Sequence, residues 1–390
     1  MTDYAENYED TERVAIDAGK AALLRAKWLR NRAVESTAGS FVELLENDVV
    51  HPDYFSAHVV DGVGTKLFLC PWSGNYRLQP VDAVAMNAND MAPLLSIIPD
   101  SISLYLACQR GVESDHMAEI MNGFVDAAKR IRIPDAPFDL YLAKVETASL
   151  DEIVSLGVPN KGYDVGVVMT GFIEKGKVPQ LRPHGGDYIV GVSSTGMHSN
   201  GFTGARHVLL FPDSALEPRA KWRKQYEGKF ALGDTPEVLE GQTVLEALQT
   251  PTALYLVEAA LIGRMFDTGE VYGINITGNG LHNFNRVGMG VSFEITDPLE
   301  MLPIHRLLAQ ESGWDPQTAY TKQNMGMGFA YIVPDQDTAE AVVKFINERG
   351  ENHAQIVGRV HTARKSDEGL RTTMHKPYEG PKLDFVGYNG

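Results

Sequence analysis

Apolar residues along the chain fall into two patterns, short runs of strand length and longer stretches with helical spacing. The stretch 11–29, rich in Ala, Leu, Arg and Lys, predicts a helix that Gly19 weakens in its middle. Strand-length apolar runs follow at 54–60, 101–108 (SISLYLAC), 138–145 (FDLYLAKV) and 163–173, with a helix expected across 113–132. The run 60–70 (VDGVGTKLFLC) is strand-like, and 81–91 (VDAVAMNANDM) reads as a strand passing into a helix start. Val-Gly-Val-Val within 163–173 predicts burial on both faces.

A cluster of Lys, Gly and Pro at 175–181 reads as a linker. Beyond it the order of strand, glycine turn and helix returns. A strand is expected at 187–193, a polar glycine turn at 193–201 and a helix from Phe202. The charged segment 215–241, with Trp222 and Tyr226, predicts a surface insertion, and Thr250-Pro251-Thr252 predicts a helix start carrying Tyr255 and Glu258. Further glycine turns close the strand at 273–280 (GINITGNG) and precede the strand at 330–333 (NMGMGF, 324–329). A helix at 338–348 and a strand at 355–360 complete the pattern. Past Thr362 the chain is polar and aperiodic, and a tail is expected at 363–390.

With 390 residues, 44% of them apolar, the chain can bury a large core and is expected to divide into two domains, 1–174 and 175–362. The net charge of −16 and pI near 5.1 exclude a nucleic-acid backbone binder but allow small anionic substrates at a locally cationic or metal-bearing site. The two cysteines, Cys70 and Cys108, have no CxxC spacing, which argues against structural zinc and a disulfide framework and fits a reducing cytosol. The acidic start MTDYAENYEDTER has no apolar signal core, and the longest uncharged run, 188–205, is too rich in Gly, Ser and Asn for a membrane span. A soluble cytoplasmic protein is expected.

The densest candidate chemistry lies between Asp61 and Asp90. Gly62 and Gly64 let the backbone approach an oxyanion, and Thr65 and Lys66 offer it a hydroxyl and an ammonium. The carboxylates Asp61, Asp82 and Asp90, with Asn87 and Asn89 between them, would repel a phosphate unless a divalent cation intervened, so a magnesium–nucleotide site is the expectation. The plain alternative is a glycine turn with helix-capping or solvated aspartates. No Walker A loop is present, and no G-x-G-x-x-G follows a strand. Glu146 and Thr147 follow the third strand and read either as nucleotide contacts or as a helix cap. The turn at 193–201, with His198, Ser199 and Asn200, offers hydroxyls and N–H groups at a helix N-terminus, an anion site or an ordinary capped loop.

These segments, in this order, resemble the aminoimidazole-ribonucleotide synthetases, also called phosphoribosylformylglycinamidine cyclo-ligases. The family patterns DGVGTK and VAM-x-x-ND stand at 61–66 and 84–90, its SGLHSNG loop as TGMHSNG at 195–201, and its PT-x-[IL]-Y at 251–255. Its ITGGG and NMGIGM turns stand at 276–280 and 324–329, and its DAG with a later lysine at 17–19 and Lys27. The resemblance implies a two-domain PurM-like α+β fold, a homodimer built through the N-terminal sheets, and use of ATP with Mg²⁺. By carry-over, Asp61, Asp82 and Asp90 hold metal. Gly62, Gly64, Thr65, Lys66, Asn89, Glu146 and Thr147 line the nucleotide. His198, Ser199, Asn200 and Gly201 face the substrate, and Lys27 is a candidate charge on the transferred phosphate. The chain departs from the pattern at Lys144-Val145 (for Gly-Gly), Ala253 (for Arg), Asn275 (for His) and Asn279 (for Gly), and Pro93-Leu94-Leu95-Ser96 replaces Gly-Ala-Glu-Pro. Another ATP-using enzyme of the same fold, or a catalytically silent paralogue, is the alternative.

Overall fold

The computed structural model describes residues 44–46, 51–110, 112, 114–154, 161–179, 182–211, 224–266, 269–287, 290–363, 371–375 and 381–386. The helix expected at 11–29, Lys27 and Trp222 lie outside them. Five strands, β1 (Leu44–Glu46), β2 (Tyr54–Gly62), β3 (Ile98–Cys108), β4 (Tyr141–Ser149) and β5 (Tyr163–Glu174), form one sheet in the order β1-β2-β5-β3-β4. All neighbours run antiparallel except β3 and β4.

On β5, Tyr163, Val165, Val167, Met169 and Ile173 are buried, while Asp164, Val168 and Glu174 face out. The expectation of burial on both faces therefore fails. One face carries the Gln79–Met91 helix, on which the Ser114–Arg130 helix packs, and the other face is open among the described residues. Apolar side chains stand on that open side, with Val60 74% and Tyr105 47% exposed. The edge strand β4 is exposed along most of its length, including Tyr141 and Leu142.

The second sheet has seven strands in the order β12-β11-β8-β10-β6-β9-β7. They are β6 (Tyr188–Ser193), β7 (Tyr272–Asn275), β8 (Val291–Ile295), β9 (Met327–Val333), β10 (Ala354–Thr362), β11 (Arg371–Met374) and β12 (Leu383–Val386). β9 is buried at every position, and the Gln336–Arg349 helix lies against β6, β9 and β10. The last two strands correct the expected tail. β11 pairs with β8 and β12 with β11, burying Thr372, Met374, Leu383 and Phe385, elements too short to show a period. The expected surface insertion is also corrected where it is described, because Tyr226 and Leu239 are buried with Phe202 and Leu209 in an apolar cluster.

The run 81–91 belongs to a single helix, Gln79–Met91, with Pro80 in its first turn. Only two of its residues, Met86 and Asp90, escape full burial. A helix enclosed on all sides needs no amphipathic stripe, which is why its pattern imitates a strand. One apolar core runs from β2 and β5 through Val84, Ala85 and Ala88 to Val190 and Val192 of β6 and Phe329 and Tyr331 of β9. Among the described residues no helix is long and apolar enough to cross a membrane.

A buried ion pair crosses this core. β2 stops at Gly62, where a Cβ would sit 2.7 Å from the Val165 carbonyl oxygen, and Gly64, at φ 72°, turns the chain into a 3-10 helix, Gly64–Leu69. Lys66 on that turn is wholly buried, and its Nζ lies 2.9 Å from Asp82 Oδ1 and 2.6 Å from the Thr250 carbonyl oxygen. Asp82 Oδ1 also accepts from the Thr252 N–H (2.8 Å) and Oγ1 (2.6 Å). Residues 250–255 are accordingly not a helix start. They form a link between the Val244–Gln249 and Leu256–Met265 helices, held by these bonds. Breaking such a pair on one side leaves an uncompensated charge in the core, so Asp82→Ala is expected to lower unfolding free energy by about 3–5 kcal/mol. The double variant Lys66→Met/Asp82→Leu should recover most of it. Urea unfolding measures both, and a loss below about 1 kcal/mol in Asp82→Ala would contradict the assignment.

Candidate active site

The Gln79–Met91 helix is where the sequence motifs meet. Asp82 and Asp90 stand eight residues apart on it, about 12 Å along the axis at 1.5 Å per residue, too far to share one cation. This corrects the expected metal triad, and the Lys66–Asp82 pair corrects Lys66 as a phosphate ligand. Asn89 is turned inward as well. Its Oδ1 accepts from the Tyr255 N–H at 2.9 Å, and its Nδ2 donates to the Ala253 carbonyl at 2.7 Å, so it clamps the 250–255 link instead of facing a nucleotide. Asn87 Nδ2 reaches the Ala83 carbonyl at 2.9 Å and that of Asp61 at 3.4 Å.

Asp61 and Asp90 do come together. Asp61, at the end of β2, accepts from the Gly62 N–H at 2.7 Å, and packing around its carboxyl raises its pKa. Burial, with the nearby Asp61 charge, pushes Asp90 up to about 7, against the opposing effects of the Asn275 hydrogen bond and the Arg286 guanidinium. Asn275 Nδ2, from the last residue of β7, donates to Asp90 Oδ1 at 2.9 Å. Two carboxylates suffice for Mg²⁺ when phosphate oxygens and waters complete its shell, and this pair fits such a shared site. Among the described residues no group of three or more His, Cys, Asp or Glu could hold a metal by itself.

The TGMHSNG loop faces the same corner. Thr195 Oγ1 donates to the Pro251 carbonyl (2.6 Å), Asn324 Nδ2 to that of Gly196 (3.0 Å) and Gln323 Nε2 to that of Gly201 (3.2 Å). Thr65 Oγ1 lies 2.9 Å from Thr203 Oγ1, tying the DGVGTK turn to the Phe202–Leu209 helix. Asn200 lies beside the 276–280 turn, where a side chain added at Gly278 would meet its Oδ1 at 3.7 Å. The Ser199 hydroxyl is buried with no partner among the described residues.

His198 sits in this loop at φ 60° and is buried against Tyr255, with ring centroids 6.2 Å apart. Close packing explains Gly328, since a Cβ there would fall 2.7 Å from His198 Cε1. His198 Nε2 accepts from the Ala253 N–H at 3.4 Å, which puts the proton of the neutral ring on Nδ1. Burial, with the neighbouring Lys66 and His305, lowers its pKa to about 3. The ring is therefore a neutral donor at pH 7.

Glu146 and Thr147 lie elsewhere. They are inside β4 instead of past a strand end, and Glu146 is exposed and 2.9 Å from Lys144. The sheet register aligns Gly62 with Gly166, Tyr105 and Glu146, three strand spacings away, about 14 Å. Within one chain they do not join Asp61. Conversely, Thr252, Asn275 and Arg286 belong to the site's surroundings and were not singled out as site residues. Thr252 had a signal in its Pro-Thr setting, whereas Arg286 had none. Asn279, in place of a glycine, has φ 68°, a left-handed conformation that Asn tolerates better than other side chains.

Burial of the His198 ring is open to a direct check. The ring proton signals of His198 should not shift between pH 5 and 8 by NMR, and titration near 6.5 would contradict the buried neutral ring. The folded pKa lies below the unfolded value of about 6.5, so the unfolded chain binds more protons between them. The stability this histidine contributes is complete above about 6.5 and is lost as pH falls toward 3.

Residues 185–369 match the family model described as AIR synthase related protein, C-terminal domain. A phosphoribosylformylglycinamidine cyclo-ligase of Methanosarcina barkeri is 31% identical over 293 residues, 74% of this chain and 77% of that protein. One from Methanobrevibacter smithii is 27% identical over 389 residues, 99% of this chain and all of its own length. Among solved structures, a HypE–HypF complex aligns with TM-score 0.53 at 12% identity, covering 95% of this chain and 99% of that one. AaThiL complexed with AMPPCP and TMP aligns with TM-score 0.51 at 12% identity, covering 95% and 96%. These two share the fold, the PurM-like α+β architecture expected from the sequence. At this level of identity and coverage, the chain belongs to the phosphoribosylformylglycinamidine cyclo-ligase family.

Proposed function

We propose that the corner formed by Asp61, Asp90 and the TGMHSNG loop carries the chemistry of the family. The reaction is the ATP-dependent closure of formylglycinamidine ribonucleotide to 5-aminoimidazole ribonucleotide, with ADP and phosphate released. The observation that supports this site most strongly is the Thr65–Thr203 contact, which joins the nucleotide-type turn to the substrate-type loop. An amide oxygen is a poor leaving group, and transfer of phosphate onto it makes dehydration feasible. The work left to the protein is positioning and charge neutralisation, which together account for most of the catalysis of phosphoryl transfer. Asp61 and Asp90 would hold magnesium with the nucleotide phosphates, whose charge the ion would neutralise. Gly62, Gly64 and Thr65 would border those phosphates. Neutral His198, through Nδ1–H, and the Ser199 hydroxyl, which has no partner among the described residues, would hydrogen-bond substrate with Asn200 and Gly201. Lys27 is kept as the candidate charge on the transferred phosphate.

Purified protein given Mg-ATP should release ADP only with formylglycinamidine ribonucleotide present, matched by a diazotisable aromatic amine. ADP release without the amine would assign a different substrate to this site, and neither product would favour a silent paralogue. Asp90→Asn should lower kcat by at least about a hundredfold while leaving the unfolding midpoint close to that of the wild type, by the scale of losses at charge-stabilising groups.

A homodimer in the cytoplasm is part of the same proposal, and the open face of the first sheet is its interface. Val60, Tyr105, Tyr141 and Val168 are exposed apolar residues on the open side of β2 to β5, and water-facing apolar patches of this kind mark association surfaces. Val60→Glu with Tyr105→Glu should convert a dimer to a monomer in sedimentation velocity. A wild-type monomer at micromolar concentration would overturn the dimer.

A further inference from the structure

We propose that Asn275 is a positioning residue that fixes the Asp90 carboxylate for cation binding, an inference that rests on the reading of Asp90 as a metal ligand. Asp90 stands in the last turn of the Gln79–Met91 helix, whose negative dipole end disfavours a carboxylate, and the neighbouring Asp61 charge disfavours it further. A side chain so placed needs a donor that holds its ionised form in one orientation.

Asn275 supplies that donor from across the molecule. It is 3% exposed and ends β7, where its backbone is in register with Phe329 of β9, and the next residue, Ile276, donates its N–H to the Gly328 carbonyl at 3.0 Å. The donor therefore stands on a rigid base in the second sheet and reaches a helix that packs on the first. Its Nδ2 engages Asp90 Oδ1 at 2.9 Å, which leaves the remaining acceptor capacity of the carboxylate for a cation. A neutral amide does this without adding a charge that would compete with the metal. The same strand end leads into the 276–280 turn beside Asn200, so one short segment holds Asp90 and borders the substrate loop. Partners of metal-binding carboxylates typically change affinity by 10–100-fold when removed.

The test uses Mn²⁺ as the probe. Its binding is followed by electron paramagnetic resonance in the presence of β,γ-methylene ATP, for wild type, Asn275→Ala, Asn275→Leu, Asn275→His and Asp90→Asn. Alanine and leucine should weaken Mn²⁺ binding by about tenfold or more, and histidine, which restores a donor, should recover most of it. In steady-state assays the Mg²⁺ half-saturation should rise in Asn275→Ala while kcat at saturating Mg²⁺ stays within about threefold of wild type, a split expected of altered binding and not of altered chemistry. Leucine has the shape of asparagine without its donor, so it keeps the test valid if the alanine variant folds poorly. Wild-type Mn²⁺ affinity in Asn275→Leu, with affinity lost in Asp90→Asn, would overturn the positioning role alone. Wild-type affinity in Asp90→Asn would overturn the metal reading itself.

Discussion

The Lys66–Asp82 pair is the interaction on which the geometry of the site depends. Both side chains are wholly buried, and a charge pair so placed is seldom a net source of stability, because desolvation offsets its attraction. What it supplies is order. Lys66 binds Asp82 and the Thr250 carbonyl, while Asp82 binds the backbone and hydroxyl of Thr252. Three segments far apart in sequence are thereby set in one register, the turn after β2, the Gln79–Met91 helix and the 250–255 link. Any displacement of one would leave a charge without its partner in a region of low dielectric.

From that anchor the helix distributes constraints along its length. Asn89, two turns beyond Asp82, takes the backbone of Ala253 and Tyr255, and Asp90 beside it takes Asn275. The residues that look most like catalytic polar groups are therefore mostly joints, and the chemistry is left to the ends of the elements they align. Ala253 in turn donates to His198, so the same chain of contacts that begins at Lys66 fixes the tautomer of a ring in the other half of the protein. That ring is kept neutral by burial, while Asp90 is raised to about 7, and both shifts arise chiefly because these two side chains are themselves packed away from water.

Much of this was legible in the chain, but unevenly. The strands at 54–60, 101–108 and 163–173 and the helices at 113–132 and 338–348 were readable because each has one buried face and hence a period. The Gln79–Met91 helix was not, since burial on all sides erases the period. β11 and β12 escaped notice for the opposite reason, four residues each among polar neighbours. The motifs that hold Asp61, Asp90 and the TGMHSNG loop, distant in the chain, do meet in space. They could not separate Asp82 and Asn89 from Asp90, because a polar side chain that clamps backbone and one that borders the site look alike in sequence. Glu146 failed for a related reason, as a strand end placed four residues early turned an exposed edge-strand residue into a loop ligand.

The departures from the family pattern separate by the same physical criteria. Asn279 replaces a glycine where φ is 68°, and the turn survives because Asn is among the few side chains that tolerate that conformation. Ala253 replaces an arginine, yet what the position contributes here is its backbone, a carbonyl to Asn89 and an N–H to His198, neither of which depends on the side chain. Asn275 differs from both, because its side chain does the binding and does it at the acidic pair. A substitution can be absorbed where the fold uses only the backbone. Where the fold uses the side chain, the substitution changes what the position binds, and Asn275 is the departure whose side chain meets Asp90 directly.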